Sequence, residues 1–393
     1  MQSDEIRSIR LLGGTLGAGF FEEDSCSREE YLLAHRAEAA ALLAAHVRAG
    51  ADAIYAPTGC ANRARLAPFG AQDRVAHYNR ELVALAREAA DGEAFVGGCL
   101  APTGLQLAPE GESRMEQLID IYREQAEALA GAGADFLAVE EMQHLGEARA
   151  ALLACKGCCE LPVFVTVTVD KEGYTPSGSS ALCCLAVLQS MGADAFGITG
   201  PAEELPELLT DLYRYAKIPL LARPLTLPPE QLAAYAHPLL DAGAELLAGG
   251  DTPQHTAALR RAMSAARLTG ISRGEKDDEA ILAATESEAL LISPTIDIPD
   301  AIPITADLAE DILREEEARS GALKLRLEDA EDIEIFIENA YMLENPLCID
   351  AANPGLFDRF ALEYHGRALF DHVGELDIDE ISGIIDQYGI IVL

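Results

Sequence analysis

The sequence predicts an α/β protein: a (β/α)8 barrel of the TIM type followed by a smaller C-terminal α/β domain. Apolar strand segments alternate with helical segments eight times in about 265 residues, the length expected of such a barrel. Gly-Ala-Asp or Gly-Ala-Glu precedes an apolar run at residues 50–52, 133–135, 192–194 and 243–245, so one unit is repeated along the chain. A doubly wound sheet is the alternative, but eight uninterrupted units with helical connections favour closure.

The elements of the barrel follow from the period of the apolar residues. Strands are predicted at residues 9–12, 53–55, 94–99, 136–139, 163–169, 196–199, 219–222 and 245–248. Helices are predicted near residues 31–47, 75–90, 115–131, 147–154, up to 191, 203–215, 229–242 and 253–266. The first helix follows a capping box at residues 27–30, and Thr252 and Pro253 are a natural N-cap and first helical residue for the last one.

Composition divides the chain into three parts. Residues 1–268 are predicted to form the barrel, residues 269–276 a linker rich in Gly, Ser and Thr, and residues 277–393 the second domain. The strands predicted in that domain lie near residues 290–292, 323–327, 347–349, 368–370 and 390–393. Its helices are predicted near residues 306–319, 330–342, 354–364 and 378–388, which indicates an open sheet of unknown role.

The charge of the chain argues against two classes of partner. Sixty-six acidic and 29 basic residues give a net charge of -37 at pH 7, so neither nucleic acid nor an anionic membrane surface is an expected partner. No apolar run approaches the ~18 residues of a membrane span. The acidic N-terminus does not resemble a signal peptide, and nine cysteines in so long a chain do not indicate a disulfide framework. We therefore expect a cytoplasmic protein.

In a barrel of this type, functional residues lie at the carboxyl ends of the strands and in the loops after them. That rule selects residues 13–17, 58–62, 99–104, 140–141, 170–178, 199–200, 223 and 249–252. Glu140 ends an apolar strand, where it could bind a substrate ammonium group, act as a general base or form a salt bridge across the mouth. The glycines at 249 and 250 could cradle a phosphate, although Asp251 beside them would repel an anion.

Cysteines suggest a second kind of site. Cys60 and Cys99 lie at strand ends on the functional face and Cys26 in a neighbouring loop, so three thiolates could hold zinc there. The alternative is that each free cysteine behaves as a small apolar residue. Cys155 and Cys158 form a C-x-x-C pair on the opposite face, with no second pair or nearby His to complete a metal site.

The segments on the functional face, taken in order, resemble motifs of the homocysteine S-methyltransferase family from Ile9 to Ala266. Residues 13–17 resemble D-G-x-x-G with Gly13 in place of Asp, and residues 58–62 resemble T-x-x-A-N. Glu140 with Glu147 and Ala148 resembles E-T-x-x-x-x-x-E-A. The remaining matches are residues 98–104 (G-S-x-G-P-x-G), 170–178 (the loop after strand five) and 251–255 (T-T-P-E-H).

This resemblance implies methyl transfer to an amino-acid thiol such as homocysteine, in a methyltransferase acting in methionine biosynthesis. It implies zinc as cofactor, methylfolate or methylcobalamin as methyl donor, and a corrinoid protein as partner. Glu140 would bind the substrate ammonium group. The other residues that the resemblance assigns to the substrate pocket are Gly14, Thr15, Thr58, Asn62, Asp251 and Thr252.

One departure from the family bears directly on the chemistry. Where the family has three zinc-binding cysteines, the chain has Gly200, Ala248 and Gly249, and none of these side chains can bind a metal. Without a metal, a thiol of pKa ~8.5 is mostly protonated at neutral pH. The sequence therefore leaves three hypotheses: a methyltransferase with its thiolate formed elsewhere, a non-catalytic barrel that binds an amino acid or a corrinoid partner, or a metal-free lyase or aldolase on a phosphorylated substrate. The last lacks a lysine at the strand ends, where the nearest cation is Arg223.

A weaker resemblance concerns the C-terminal domain. Residues 346–350 with residues 364–368 look like one strand–helix–strand unit of the pterin-binding barrel of cobalamin-dependent methionine synthases, and a generic βαβ unit is the alternative. Residues 371–374 do not match a corrinoid-binding motif, so no bound cobalamin is predicted.

Overall fold

Eight parallel strands close into a barrel in the computed structural model of this chain, which describes residues 8–14, 16, 26–225, 227–269, 274–318 and 321–393. Each strand pairs with the next, and β1 also pairs with β8. The strands are β1 (Leu11–Gly13), β2 (Ala53–Ala56), β3 (Phe95–Leu100), β4 (Phe136–Met142), β5 (Val163–Thr168), β6 (Ala195–Gly200), β7 (Leu220–Pro224) and β8 (Ala244–Ala248). The predicted (β/α)8 barrel is confirmed.

Helices cover the outside of this barrel. They are α1 (Arg28–Ala34), α2 (Arg36–Arg48), α3 (Arg63–Leu66), α4 (Val75–Ala90), α5 (Met115–Gly131), α6 (Leu145–Cys158), α7 (Ala181–Ser190), α8 (Leu205–Tyr215), α9 (Pro229–Ala234), α10 (Ala236–Asp241) and α11 (Pro253–Thr269). Short 3₁₀ turns at Ala67–Phe69 and Gln72–Arg74 connect α3 to α4. The predicted cap of α1 is present, because the Ser27 hydroxyl accepts a hydrogen bond from the Glu30 N–H at 3.2 Å.

Alternation along the strands sends one set of side chains into the barrel and the other toward the helices. The interior set includes Tyr55, Phe136, Phe164 and Leu221, which pack together in one cluster. Apolar residues on the opposite faces join the helices in a larger core. The barrel is therefore a filled core, and ligands have access only to its ends.

The largest difference from the predicted strands is in β4, which runs three residues past the predicted end at Val139. The pairing with β5 shifts between Val139 and Met142, and Glu141 has φ +57°, in the left-handed region that non-glycine residues rarely occupy. This bulge changes the direction of the two carboxylates at residues 140 and 141. Apolar periodicity carries no signal for such a bulge.

The C-terminal part contains two sheets. An antiparallel hairpin pairs β9 (Ile281–Ala284) with β10 (Ala289–Ile292). A parallel five-stranded sheet follows in the order β11 (Ile302–Pro303), β12 (Leu323–Leu327), β13 (Leu347–Ala351), β14 (Leu369–Phe370) and β15 (Ile391–Val392). Its helices are α12 (Leu308–Ala318), α13 (Ala330–Asn339), a 3₁₀ turn at Ala340–Met342, α14 (Pro354–Glu363) and α15 (Ile378–Tyr388). Strands β9 and β11 were not predicted, because β9 ends in two alanines and β11 contains Pro303, and both residue types are depleted in strands.

The C-terminal part packs against the barrel beside its functional face. Arg149 of α6 is buried, and its guanidinium donates to the carbonyl oxygens of Leu362 at 3.1 Å and Ala361 at 2.7 Å. The Ser179 hydroxyl, in the loop after β5, donates to the carbonyl oxygen of Glu286 at 2.7 Å. The β9–β10 connection therefore contacts a loop of the barrel mouth. The domain boundaries given above remain a prediction.

None of the described helices combines the length and the apolar composition needed to cross a membrane.

Candidate active site

Glu140 is at the centre of a buried polar network in the barrel mouth. It is 3% exposed, and the Tyr55 hydroxyl donates to its Oε1 at 2.9 Å. Its Oε2 accepts hydrogen bonds from the Arg223 Nη1 and, at 3.4 Å, from the Thr166 hydroxyl. Strands β2, β4, β5 and β7 each contribute one of these residues. Both carboxylate oxygens of Glu140 are therefore occupied by protein donors.

The electrostatics of this network follow from its burial. Burial raises the pKa of Glu140 above its ordinary value, while Arg223 and the Tyr55 hydroxyl oppose that shift. Burial also disfavours the charge on Arg223, but Glu140 and Glu141 outweigh it, and the pKa of Arg223 lies above its ordinary value. Burial, and then the negative charge of Glu140, raise the pKa of Tyr55 well above its usual range. Arg223 is therefore the fixed positive charge of the mouth, and Tyr55 stays protonated as a donor.

Glu141 is the exposed partner of this network. Its backbone N–H donates to the Thr166 hydroxyl at 2.7 Å, and its side chain, 51% exposed, places Oε1 3.4 Å from the Nε of Arg223. The bulge of β4 thus brings two consecutive carboxylates to one guanidinium. The two carboxylates and the guanidinium of Arg223 together carry a net charge of -1.

The salt bridge that sequence reasoning considered for Glu140 is formed, and its cation is Arg223. Binding of a substrate ammonium group by Glu140 remains a prediction. Tyr55 and Thr166 were not identified from the sequence. Their position near the ends of β2 and β5 was a usable signal, since inward-facing residues there meet at the mouth.

Thr58 and Asn62 shape the loop after β2. The buried Thr58 hydroxyl donates to the carbonyl oxygen of Cys99 at 2.8 Å and accepts from the Cys99 N–H at 3.0 Å. The Asn62 Oδ1 accepts from the Arg65 N–H at 3.0 Å and caps α3. The Asn62 Nδ2 is buried without a hydrogen-bond partner among the described residues. Both side chains hold the loop in place, and their contact with a substrate stays a prediction.

Glycines occupy positions with positive φ directly after β1 and β8, at the barrel mouth. Gly14 has φ +90°, and a Cβ there would lie 3.0 Å from the Cβ of Ile54. After β8, Gly249 has φ +139° and Gly250 has φ +77°, so both occupy backbone conformations that favour glycine. Thr15 lies outside the described residues.

Two histidines support the start of α11. The Thr252 hydroxyl lies 2.8 Å from the Nδ1 of His255, whose Nε2 lies 2.7 Å from the carbonyl oxygen of Leu227. The buried His46 contacts the Thr256 hydroxyl at 2.8 Å, and burial, with a smaller contribution from His255, lowers the pKa of His46 to about 4. These two rings fix the loop that carries Asp251 and Thr252. A phosphate site there stays a prediction.

The residues at the ends of β6 and β8 do not fit a zinc ion. Gly200, Ala248 and Gly249 offer no donor side chain, and a Cβ on Gly200 would lie 3.1 Å from the Cγ2 of Val169. Wherever the structure describes the chain, no three His, Cys, Asp or Glu side chains are grouped closely enough to hold a metal ion.

The described residues include Cys26, Cys60 and Cys99, so these thiols do not form the hypothesised zinc cluster in this structure. Burial raises the pKa of both Cys60 and Cys99, which keeps them protonated. Cys155 and Cys158 lie in α6, and burial raises the pKa of both thiols.

A cavity of about 750 Å³ opens beside Glu141, between the loops after β3, β4 and β5. Glu147 fixes one wall, because its Oε1 accepts from the Thr103 N–H at 2.7 Å, the Thr103 hydroxyl at 2.6 Å and the Tyr122 hydroxyl at 2.9 Å. Three hydrogen bonds to this one oxygen tie Glu147 to Thr103 and Tyr122, so Glu147 positions the loop. Glu141 is the carboxylate that reaches both this cavity and Arg223.

Comparison with known proteins identifies the barrel. A sequence profile described as homocysteine S-methyltransferase matches residues 12–263. The chain belongs to the homocysteine S-methyltransferase family. This match confirms the resemblance found in the motifs and covers nearly all of the barrel.

The chain is similar to the methionine synthases of Mycobacterium leprae (strain TN) and Mycobacterium tuberculosis (strain ATCC 25618 / H37Rv). They are 29% and 30% identical to it over 261 residues, which are 59% of this chain and 22% and 21% of theirs. The chain thus matches about a fifth of each of these relatives.

The solved homocysteine methyltransferase MmuM of Escherichia coli has the same barrel fold. Its oxidised form superimposes with a TM-score of 0.57 at 24% identity, over 64% of this chain and 95% of that one. Its metallated form gives 0.56 at 25% identity, over 64% and 96%. That relative has a metallated form, whereas Gly200, Ala248 and Gly249 of this chain carry no metal-donor side chain.

Proposed function

We propose that the barrel mouth binds an amino-acid thiol such as homocysteine and transfers a methyl group to its sulfur. Membership of the homocysteine S-methyltransferase family over nearly all of the barrel carries this proposal. Methylfolate and methylcobalamin are the donors we propose to test, with a corrinoid protein as the partner in the second case. The reaction forms a carbon–sulfur bond, releases the thiol proton and returns the demethylated donor.

The ion pair of the mouth suits a zwitterionic ligand. An ammonium group that approaches Glu140 must compete with Arg223, and a simple amine would leave the buried guanidinium short of a partner. An amino acid brings a carboxylate that can pair with Arg223 while its ammonium group pairs with Glu140. Glu140, Arg223 and both charged groups of the ligand then each have a partner. The desolvation penalty is therefore smaller than for a ligand that carries only an ammonium group or only a carboxylate.

Three thiols test this argument by titration calorimetry under reducing conditions: homocysteine, 4-mercaptobutyrate without the ammonium group, and 3-mercaptopropylamine without the carboxylate. We expect homocysteine to bind at least tenfold more tightly than both analogues, which corresponds to about 1.4 kcal/mol. Glu140→Gln should remove this preference. The exposed Glu160→Gln, on the opposite end of the barrel, serves as the matched control. Equal affinity for all three thiols would contradict zwitterion recognition.

A second candidate function is amino-acid binding without methyl transfer. It is favoured by the absence of metal donors at Gly200, Ala248 and Gly249. Methionine formation from homocysteine with each donor distinguishes the two candidates. Binding together with product formation supports the transferase, and binding without product after prolonged incubation supports the binding protein. The third hypothesis, a lyase or aldolase acting on a phosphorylated substrate, gains no support from a mouth with excess negative charge.

A further inference from the structure

A second cavity lies between the barrel and the C-terminal part of the chain. It has a volume of about 170 Å³, enough for a small organic molecule, since one water occupies about 30 Å³ of liquid. The barrel contributes the loops after β3, β4 and β5, and the C-terminal part contributes Glu286, α13 and the residues after α14. Neither part alone would enclose it. The cavity adjoins the one beside Glu141, because Leu107, Glu110, His144 and Ser177 line both.

A largely buried imidazole lines this cavity. His365 is 9% exposed, and its ring packs edge-on against the His144 ring with 5.5 Å between the centroids. The Glu286 Oε1 lies 3.6 Å from the His365 Nδ1, at ion-pair distance, and accepts the His365 backbone N–H at 3.2 Å. Burial, and then the charges of Arg149 and His144, lower the pKa of His365 well below its usual value. The neutral ring offers one donor and one acceptor to a ligand in the cavity.

The charges around the cavity are mainly negative. Glu286, Glu110, Glu334 and Glu363 line it, and the one arginine in its lining, Arg114, pairs with Glu334 at 3.1 Å. Burial raises the pKa of Glu286 to about 7, and a backbone hydrogen bond and Arg149 only partly oppose that shift. Burial likewise raises the pKa of Glu363 to about 7. Burial thus outweighs the opposing charges of Arg149 at Glu286 and of Arg114 and Arg359 at Glu363.

One wall of the cavity is apolar. Leu107 and Leu145 from the barrel face Phe336, Ile337 and Leu343 from the C-terminal part. The cavity thus pairs an apolar wall with acceptor groups, and the His144 ring is fixed at its edge because its Nδ1 accepts from the Gly146 N–H at 3.0 Å. Burial lowers the pKa of His144, so it adds no positive charge.

We propose that this interdomain cavity binds a small primary amine, with its ammonium group against Glu286 and His365 and its hydrocarbon part on Phe336 and Leu107. The ammonium places a further positive charge beside these carboxylates and donates to a ring nitrogen of His365. The site shares no residue with the Glu140–Arg223 network, so it is separate from the proposed thiol site. An amine bound there contacts both parts of the chain and stabilises their association.

The test uses the full-length protein at pH 7 and calorimetric titration with butylamine and benzylamine. Butanol, benzyl alcohol, butyrate and benzoate are the neutral and anionic counterparts. We expect saturable one-to-one binding of an amine, at least tenfold weaker binding of its counterparts, and release of protons measured from buffers of different ionisation enthalpy. Protons leave because an ammonium beside Glu286 lowers the pKa of that carboxyl. Equal binding of alcohol and amine, or no binding of either, would overturn the proposal.

Three variants distinguish a direct role in amine binding from an effect on the packing of the C-terminal part against the barrel. Glu286→Gln should weaken amine binding at least tenfold and abolish most of the proton release, while homocysteine binding stays unchanged. Glu288→Gln is the matched control, because Glu288 accepts from the Tyr174 hydroxyl of the barrel at 2.8 Å but does not line the cavity. Ser177→Leu, at an exposed lining residue, should reduce binding by filling the entrance. If Glu286→Gln and Glu288→Gln weaken amine binding equally, the effect comes from the packing of the C-terminal part against the barrel, and the proposed site is refuted.

Discussion

Removal of Arg223 tests the account of the barrel mouth most directly. In Arg223→Met, Glu140 keeps the Tyr55 and Thr166 hydrogen bonds but loses the cation that opposes its burial. Breaking a buried ion pair by removing one partner costs about 3–5 kcal/mol. The Glu140 side chain is 4% exposed, so water cannot replace the guanidinium without opening the mouth. We expect a loss of this size in the free energy of unfolding at pH 7.5.

The loss should depend on pH with a defined sign. Burial already raises the pKa of Glu140, and removing Arg223 raises it further. When a carboxyl has a higher pKa in the folded than in the unfolded state, the protein becomes less stable as pH rises. The loss begins near the unfolded pKa, about 4.3, and grows until the pH passes the folded pKa. At pH 5 the penalty is about 1 kcal/mol, because only about 0.7 pH units separate that pH from the unfolded pKa. The variant should therefore approach the parent in stability as the solution becomes acidic.

Urea denaturation followed by circular dichroism and tyrosine fluorescence measures both effects, since the chain contains no tryptophan. Tyr55→Phe is the control, with an expected loss of about 1 kcal/mol for one hydrogen bond. The double variant Glu140→Gln/Arg223→Met should recover most of the stability, because it leaves no buried charge unpaired. A loss below about 1 kcal/mol at pH 7.5, or one that grows toward pH 5, would refute the reasoning.

Three further predictions concern the backbone at Gly14, the carboxyl of Glu286 between the two parts of the chain, and the zinc content of the protein. Gly14→Ala should cost about 1–2 kcal/mol because of its positive φ and its contact with Ile54, whereas Gly131→Ala, with open space around the added Cβ, should not destabilise the protein in the same urea assay. Thermal stability should fall as pH rises from 5 to 8, since the folded pKa of Glu286 is raised, and Glu286→Gln should flatten that profile; a profile unchanged by the substitution contradicts this assignment. Elemental analysis of reduced protein should give far less than one zinc per chain, and one zinc lost on Cys60→Ser or Cys99→Ser would restore the thiolate cluster.

The barrel was predictable because its signals are local and repeated. Four of the helices end near a Gly-Ala-Asp or Gly-Ala-Glu before an apolar run, and the eight units add to the right length. The functional face followed from the topology alone, which placed Glu140, Arg223 and Thr58 at strand ends without coordinates. The hairpin β9–β10 was only half predicted, because Ile281–Ala284 ends in two alanines, which are depleted in strands.

The pairing within the mouth was not predictable, because it depends on the bulge of β4. Sequence places Glu140 and Glu141 on opposite faces of a regular strand, with one toward the helices. The left-handed conformation of Glu141 brings both to Arg223, and non-glycine residues adopt it only when tertiary contacts require it. The Thr166 hydroxyl, bonded to the Glu141 N–H, supplies such a contact from a neighbouring strand. That information is non-local and is absent from the sequence around residue 140.

The proposed binding and the proposed methyl transfer would rest on different parts of this barrel. The charges proposed to recognise a zwitterion lie on β4 and β7, whereas Gly200, Ala248 and Gly249, which carry no metal-donor side chain, lie at the ends of β6 and β8. The absence of donors at those three positions leaves the Glu140–Arg223 pair in place. Retention of this pair is therefore not by itself a sign of activity. Homocysteine affinity reports on the pair and methionine formation on the sulfur chemistry, so a chain that passes the first assay and fails the second has kept the ligand site of its family and lost the reaction.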